Sequence, residues 1–578
     1  MRNAVYCDSS EHRNIWNIIR YCNIYNWLDH GIFISRPTFP GAGWVDFGND
    51  SWWIFENSFY RNASAIPDGG TAIELQKGNS HHILNNFIGG TEPGAMGDNS
   101  DISRGIAVMG TYYANPSQPD YIEGNTIRRI KSGIFKGISV IDQNVDIGSD
   151  GGNKIGDSLL ANAIWCKGSG AYGIYILNHL DHVINIRNNM IANMVDSAWS
   201  DGDALVGIGT IRNGNDSYLG SHGEISNNRI FSLKDMSDAA IYTGTYLPAH
   251  PKVFGIVVKG RYLMVKNNKI YKLGVLVPEN TGVTDTVAGI WVKTLPGDYN
   301  DSCTFYNNMI SMGYYTSDCH NDNIFGFLDA SWGQGNNNYY FNSVNIEAGG
   351  ISNETSSFCF FRKKNYNVNI LNNLFINNRI WAGMPSGEGN YAIGVCNYSG
   401  VNSNHNDLYS ADPNRVGTVQ CGSSPLNLLN WQKSFIPSRD MNSVSVLPSF
   451  VSATNLHCAG PEALDNLGIC LSGYHDDVDG NARQNPPDLG VNDFTTKLYK
   501  TWLGDTHYWD EALNWSPAGV PTTLDNVRLT PGINYSPTIR SDGATCLDLL
   551  IEAGVTLSVN PGKYLDIMGG FVLLKYCP

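Results

Sequence analysis

Two rows of side chains recur at positions from which they could act on a polymer. Three residues after each member of a series of repeated asparagines, or after Cys22 in the first case, the chain reads Tyr25, Tyr60, Gly89, Arg128, Trp165, Ala192, Phe231 and Tyr271. Flat rings at a fixed interval can stack on the apolar C–H faces of sugars; alternatively, inserts of roughly ten residues fold over the rings and bury them as a satellite core. The second row, Arg187, Arg229, Lys266 and Lys269, flanks the same asparagines in three consecutive repeats. Such a patch suits a uronate or sulfated polymer through charge-assisted hydrogen bonds, or is ordinary solvated charge beside Asp-rich inserts. His179, Asp181 and His182 form a third group, either metal ligands or an acid and base, or simply a polar turn.

What positions these rows is an internal repeat. Segments of the form apolar-x-x-Asn-x-apolar, such as ILNNFI, INIRNNMI, EISNNRI and MVKNNKI, recur throughout. The aligned residues are Asn57, Asn86, Asn125, Asn162, Asn189, Asn228, Asn268, Asn308, Asn342, Asn373 and Asn406, with Cys22 in the first copy and Ser403 breaking the apolar rule in the last. The flanking apolar residues, for example Ile83 and Ile88 or Val265 and Ile270, are five apart, an odd separation that on one straight strand would send them to opposite faces. Burying both requires a corner at the asparagine, which tolerates left-handed backbone and whose amide can hydrogen-bond to its copy on the next coil. Gly-Ile-x-apolar segments at Gly31, Gly105, Gly137, Gly173, Gly207, Gly255 and Gly289 read as short strands between corners. The pattern predicts an all-β chain, a right-handed parallel β-helix of about twelve coils; hairpin signals for a propeller are scarce.

The chain has 578 residues and 63.4 kDa, with 42% hydrophobic but only 16% charged residues, too few charges for a coiled coil or a disordered chain. Its 38 basic less 53 acidic residues give a net charge of −15, the wrong sign for a nucleic-acid partner. No window is apolar enough for a membrane span, and the first residues lack the apolar core of a signal peptide.

The Gly-Ile-x-Val and Asn-Asn-x-Ile repeats resemble the right-handed parallel β-helix repeat proteins over residues 1–450, a group holding pectate lyases, polygalacturonases, alginate epimerases and many surface proteins. Residues 451–498 read as a capping segment, in which DDVDGNARQNPPDLGVNDF resembles a closing motif that follows β-helix domains in bacterial secreted proteins, with Val491 and Asp493 where that motif has Ala and Glu. There Asp477, Asp479 and Asn481 are either calcium ligands or an internally bonded turn; otherwise no metal or cofactor is expected. Residues 499–578, with Trp502, Trp509, Trp515 and Pro521, resemble a small β module of Bacteroidetes proteins exported by type IX secretion, its strands alternating at Val555, Leu557 and Val559. Both termini read as cut, and the resemblance implies an extracellular or cell-surface location.

Enzyme signals are negative. A polygalacturonase-like hydrolase needs Asn-Thr-Asp, Asp-Asp, Gly-His-Gly and Arg-Ile-Lys in order; here Ser221-His222-Gly223 and Arg129-Ile130-Lys131 occur reversed, as chance matches do. The motifs of alginate epimerases and pectate lyases are missing as well. Among the cysteines, Cys303 with Cys319, Cys396 with Cys421, or Cys458 with Cys470 could be disulfides, while Cys22 and Cys359 read as buried thiols. The expected function is therefore carbohydrate-associated binding or adhesion by a monomeric surface rod, with a polysaccharide lyase or glycoside hydrolase as the alternative and a protein-binding adhesin as a third.

Overall fold

A computed structural model describes the chain except residues 1, 9–14, 36–49, 63–68, 111–117, 169, 180, 198–203, 212–220, 237–251, 277–284, 294–301, 314–321, 334, 348–355, 380–388, 422–423, 495–497, 574 and 577–578. Cys319 lies outside the described residues. By internal contacts the chain divides into two compact units: residues 1–445 with 452–456, and residues 446–451 with 457–578.

The first unit is a right-handed parallel β-helix. Each coil contributes a short strand to each of three long sheets, of 14, 12 and 14 strands, the third gaining Ile130–Ser132 and Ile164–Cys166 as second strands of their coils. Pairing is parallel until the closing strand Ser424–Leu426, which returns antiparallel to Gly417–Val419. The first sheet stacks the isoleucines of the Gly-Ile motif, with Ile73 of an Ala-Ile pair among them: Ile32, Ile73, Ile106, Ile138, Ile174, Ile208, Ile256 and Ile290 are in register and fully buried. Such a column puts each coil's apolar surface on identical surface above and below, so every coil depends on its neighbours for its core.

The corner between the second and third sheets carries the asparagine ladder. At every rung from Asn57 to Asn373 the Asn backbone N–H and Nδ2 both donate to the Oδ1 of the next rung, at 2.8–3.2 Å. The Nδ2 also donates to a carbonyl on the preceding coil, as from Asn228 to Ile186 at 2.8 Å. Apolar residues five apart are both buried as the corner argument requires, Ile83 with Ile88 and Val265 with Ile270 all being fully buried.

Two details of the ladder differ from expectation. Left-handed backbone falls on the residue before the rung, as at Asn85 (φ 54), Asn188 (φ 60), Asn227 (φ 55) and Asn267 (φ 56), so that one residue bends the chain and the next supplies the amide. Asn162 is not a rung: Asn153 stands between Asn125 and Asn189. Six residues, 148–153, replace the usual two at this one corner, between the strands Val145–Ile147 and Lys154–Gly156. The apolar partner Ile147 is thereby pushed six residues from the rung, and the apolar-x-x-Asn pattern fails there.

The ladder ends on a polar cap. Asn406 N–H donates to Ser443 Oγ, and one carboxylate, Asp440, accepts from Ser403, Ser443, Asn406 and the indole of Trp431. Trp431, on the helix Leu428–Lys433, is fully buried at this end of the core. Ser403 breaks the apolar pattern because its hydroxyl is one of the donors to Asp440.

A second polar network lies inside the opposite corner. His81 N–H and Gln143 Nε2 each donate to Asp120 at 2.8 Å, and burial pushes the Asp120 carboxyl up to about 8. The folded chain thus holds a proton that the unfolded chain releases above the ordinary value of 3.8, and wild-type stability falls as pH rises between these two values. Asp120→Asn is expected to gain stability relative to wild type over that window and to plateau above it; urea midpoints of both proteins at pH 4 and pH 8 check the sign.

The second unit holds a further small parallel coil. Asn526–Leu529, Leu549–Ile551 and Phe571–Leu573 pair in parallel, with Val527, Leu549 and Phe571 in register at intervals of 22 residues. Thr538–Ile539 pairs with Ser558–Val559, and Ala544–Cys546 with Leu565–Ile567. Trp502, Trp509 and Trp515 are buried with rings edge-on at 4.7–4.9 Å. The expected alternation holds at Val555 and Leu557, which pack against the buried tryptophan cluster, but not at Val559, which is 46% exposed in the strand Ser558–Val559.

In the closing motif, Arg483 is buried and donates to Asp493 at 3.0 Å and to the Gly490 carbonyl at 2.9 Å, so aspartate serves as the partner where the motif has glutamate. The Asp477 carboxylate accepts the backbone N–H groups of Asp479 and Asn481 at 2.9 and 2.8 Å, which is the internally bonded turn, and Asp479 pairs with His457 at 2.9 Å. Of the cysteine pairs, Cys396–Cys421 is a disulfide. Cys470 is disulfide-bonded, but not to Cys458, which is a buried thiol. Cys359 is a buried thiol as expected, whereas Cys22, on the first coil, is exposed.

Candidate functional site

The third-sheet row does not form one platform. Its members in register are Tyr25, Tyr60, Gly89, Arg128, Gly156, Ala192, Phe231 and Tyr271. Trp165 is not among them: it follows the extended corner and belongs to the strand Ile164–Cys166, beside Lys131 and Val195, with its indole donating to Ser197. Two separate ring pairs remain, Tyr25 on Tyr60 at 5.3 Å and Phe231 on Tyr271 at 5.0 Å. Tyr60, Phe231 and Tyr271 are 5–8% exposed and only Tyr25 is open, at 54%. Phe231 and Tyr271 pack with Ala192 as a satellite cluster, so the burial alternative holds for this pair.

The basic residues separate across the corner. Arg187 and Lys266 are on the second sheet and converge on Glu224, at 3.5 and 3.4 Å, with Asp146 at 4.0 Å from Arg187. Arg229 and Lys269 are register neighbours on the third sheet. His179, Asp181 and His182 also diverge. His179 pairs with Asp142 at 2.9 Å, Asp181 with His222 at 2.6 Å, and His182 turns inward, where burial holds its ring below the ordinary imidazole value. Among the described residues no group of three or more His, Cys, Asp or Glu side chains is arranged to hold a metal.

Among the described residues, the outer face of the second sheet carries partly exposed rings. Connections at the ladder corner are two residues long at every coil but one, whereas seventeen residues separate Ser35 from Trp53 and ten separate Met109 from Asp120 at the other edge of this sheet. Four residues before each rung the outward row reads Ile18, Trp53, His82 and Tyr121, and it continues in register to Asp146, seven before Asn153 because of the extended corner. Trp53 and His82 stack at 3.9 Å and His82 and Tyr121 at 4.9 Å, each with planes 12° apart, and all three are partly exposed. Burial lowers the His82 pKa from the ordinary imidazole value.

Beyond Tyr121 the same face becomes polar. Glu123 is held above the ordinary carboxylate range by burial, and by Asp150 and Asp146 against the opposing pull of the Asp150 N–H. Farther on, Asn338, Asn369 and Asn402 form an outer amide ladder at 2.8–2.9 Å. Reading the sequence three residues after the rungs missed this face; reading four before them gives Trp, His and Tyr in succession, and the period of two within each strand makes that row outward.

The fold defines the chain as a right-handed parallel β-helix repeat protein, with a row of partly exposed rings on its second sheet. Searches of protein-family models, curated proteins and solved structures return no match to the chain. Among the described residues, no helix is long and apolar enough to cross a membrane.

Proposed function

We propose that the long β-helix binds an extended glycan along the outer face of its second sheet, as a secreted or surface-displayed protein and without turnover. The observation that carries this reading is the Trp53–His82–Tyr121 stack, three near-parallel and partly exposed rings on successive coils of one face. Apolar sugar faces stack on such rings, while the hydroxyls at their edges find carboxylates and amides farther along the face. The chain is expected to be retarded on at least one gel from a panel of neutral and uronate polysaccharides, releasing neither reducing ends nor unsaturated products. Trp53→Ala should weaken retention about tenfold, from the loss of one buried stacking surface. Absence of retardation on every gel, or retention unchanged in Trp53→Ala, overturns the reading.

A lyase or hydrolase is the second reading, favoured by Glu123, whose raised pKa at the end of the ring stack suits a proton donor. Product release abolished by Glu123→Gln would favour it over binding alone.

A further inference from the structure

The third sheet carries a cavity of about 420 Å³ on the other side of the ladder corner. Its origin is a repeated kink: Asn193, Ser232 and Lys272, at one register position in three successive coils, take left-handed backbone with φ of 53, 56 and 57°. The loop at Ser158 forms one wall, and Thr454 closes another. Thr454 belongs to a return segment fixed to this sheet by the Ser311 hydroxyl, which donates to the Ala453 carbonyl at 2.5 Å.

Arg229 brings a positive charge to the lining of this cavity. Asp157, beside the loop wall, is taken by Arg128 at 2.7 Å. Among the described residues no carboxylate pairs with Arg229 or with its neighbour Lys269, although the protein as a whole carries a net charge of −15. Like charges on adjacent strands cost stability, and burial followed by the Arg229 charge lowers the Lys269 pKa. Arg229 is held in place: its Nε and Nη2 donate to Tyr271 Oη at 2.8 and 2.5 Å, and its guanidinium lies 4.6 Å from the Phe231 ring centroid. Its Nη1 and the Tyr271 hydroxyl proton are left to meet a ligand. Ser158, Asn193, Ser232 and Thr454 supply polar groups to the rest of the lining, beside Leu159, Ala161 and Lys272, and the volume is within the range of small-molecule sites.

We infer that this cavity binds a monosaccharide-sized ligand carrying a carboxylate or sulfate, with Arg229 and Tyr271 on the anion and the polar walls on the hydroxyls. The site is independent of the ring stack on the second sheet. Titration calorimetry with sodium glucuronate, glucose 6-sulfate, glucose and sodium sulfate tests it. Glucuronate or glucose 6-sulfate should bind at least tenfold more tightly than glucose or sulfate alone, and Arg229→Gln should weaken that binding about tenfold, the usual effect of losing a charge-assisted pair. Thr454→Trp, which fills the mouth without altering charge, should abolish it, whereas Trp53→Ala should leave it unchanged and separates this site from the second-sheet reading. No binding of either acidic sugar, equal binding of glucose, equal binding of sulfate (an adventitious ion only), or full affinity in both Arg229→Gln and Thr454→Trp overturns the inference.

Discussion

Asn228→Leu is expected to destabilise the middle coils by roughly 3 kcal/mol, because it orphans several buried polar groups at once and each costs on the order of 1–3 kcal/mol. The Asn228 Oδ1 accepts from both the backbone N–H and the Nδ2 of Asn189 at 3.0 Å, and its Nδ2 donates to Asn268 Oδ1 at 3.0 Å and to the Ile186 carbonyl at 2.8 Å. Leucine replaces none of these bonds and brings a branched chain into a fully packed corner. Since coils depend chiefly on their neighbours, hydrogen exchange should quicken most at Asn189 and adjacent amides. Asn162→Gly is the control: Asn162 has a φ of 54 that glycine adopts without strain and takes no part in the ladder, so a change within about 0.5 kcal/mol is expected. Equal melting of the two variants would remove the ladder as a source of stability.

Gly156→Ala is expected to cost about 4 kcal/mol, combining unfavourable backbone with overpacking. Gly156 has a φ of +87, and a Cβ there would overlap the carbonyl oxygen of Ala192, its parallel partner on the next coil. Relief requires the strands Lys154–Gly156 and Met190–Asp196 to part, breaking their pairing beside the extended corner. Gly133→Ala provides the comparison, since a Cβ there meets nothing within 4 Å; it should change stability by less than about 0.5 kcal/mol. Denaturant midpoints of the two variants check the difference, and equal values would show that the coil yields at Gly156. The same position explains why the third-sheet row cannot be a continuous aromatic platform: Gly89 and Gly156 both have positive φ there, at +114 and +87.

Most of the first unit was legible from short-range pattern. The odd spacing of Ile83 and Ile88 demands a corner, and the amide between them completes it through a bond to its own copy. Reading failed where the repeat departs from its own length. The six-residue corner at 148–153 shifted the apparent rung from Asn153 to Asn162, and the error carried Trp165 into a row it does not share. The second unit was legible as β but not as a parallel coil, because its strands of two to four residues are too short to show a period.

The sequence by itself determined the wound strand, its corners and its buried column, since those follow from which residue types can neighbour identical copies one coil away. Which outward positions are open was decided only by tertiary structure. Tyr271 and Tyr121 have the same chemistry and both point away from the core; the first is covered by ring neighbours in a sheet that a distant return segment crosses, and the second faces out where the chain turns in two residues. Exposure depends on segments far away along the chain, and no local period records where they fold.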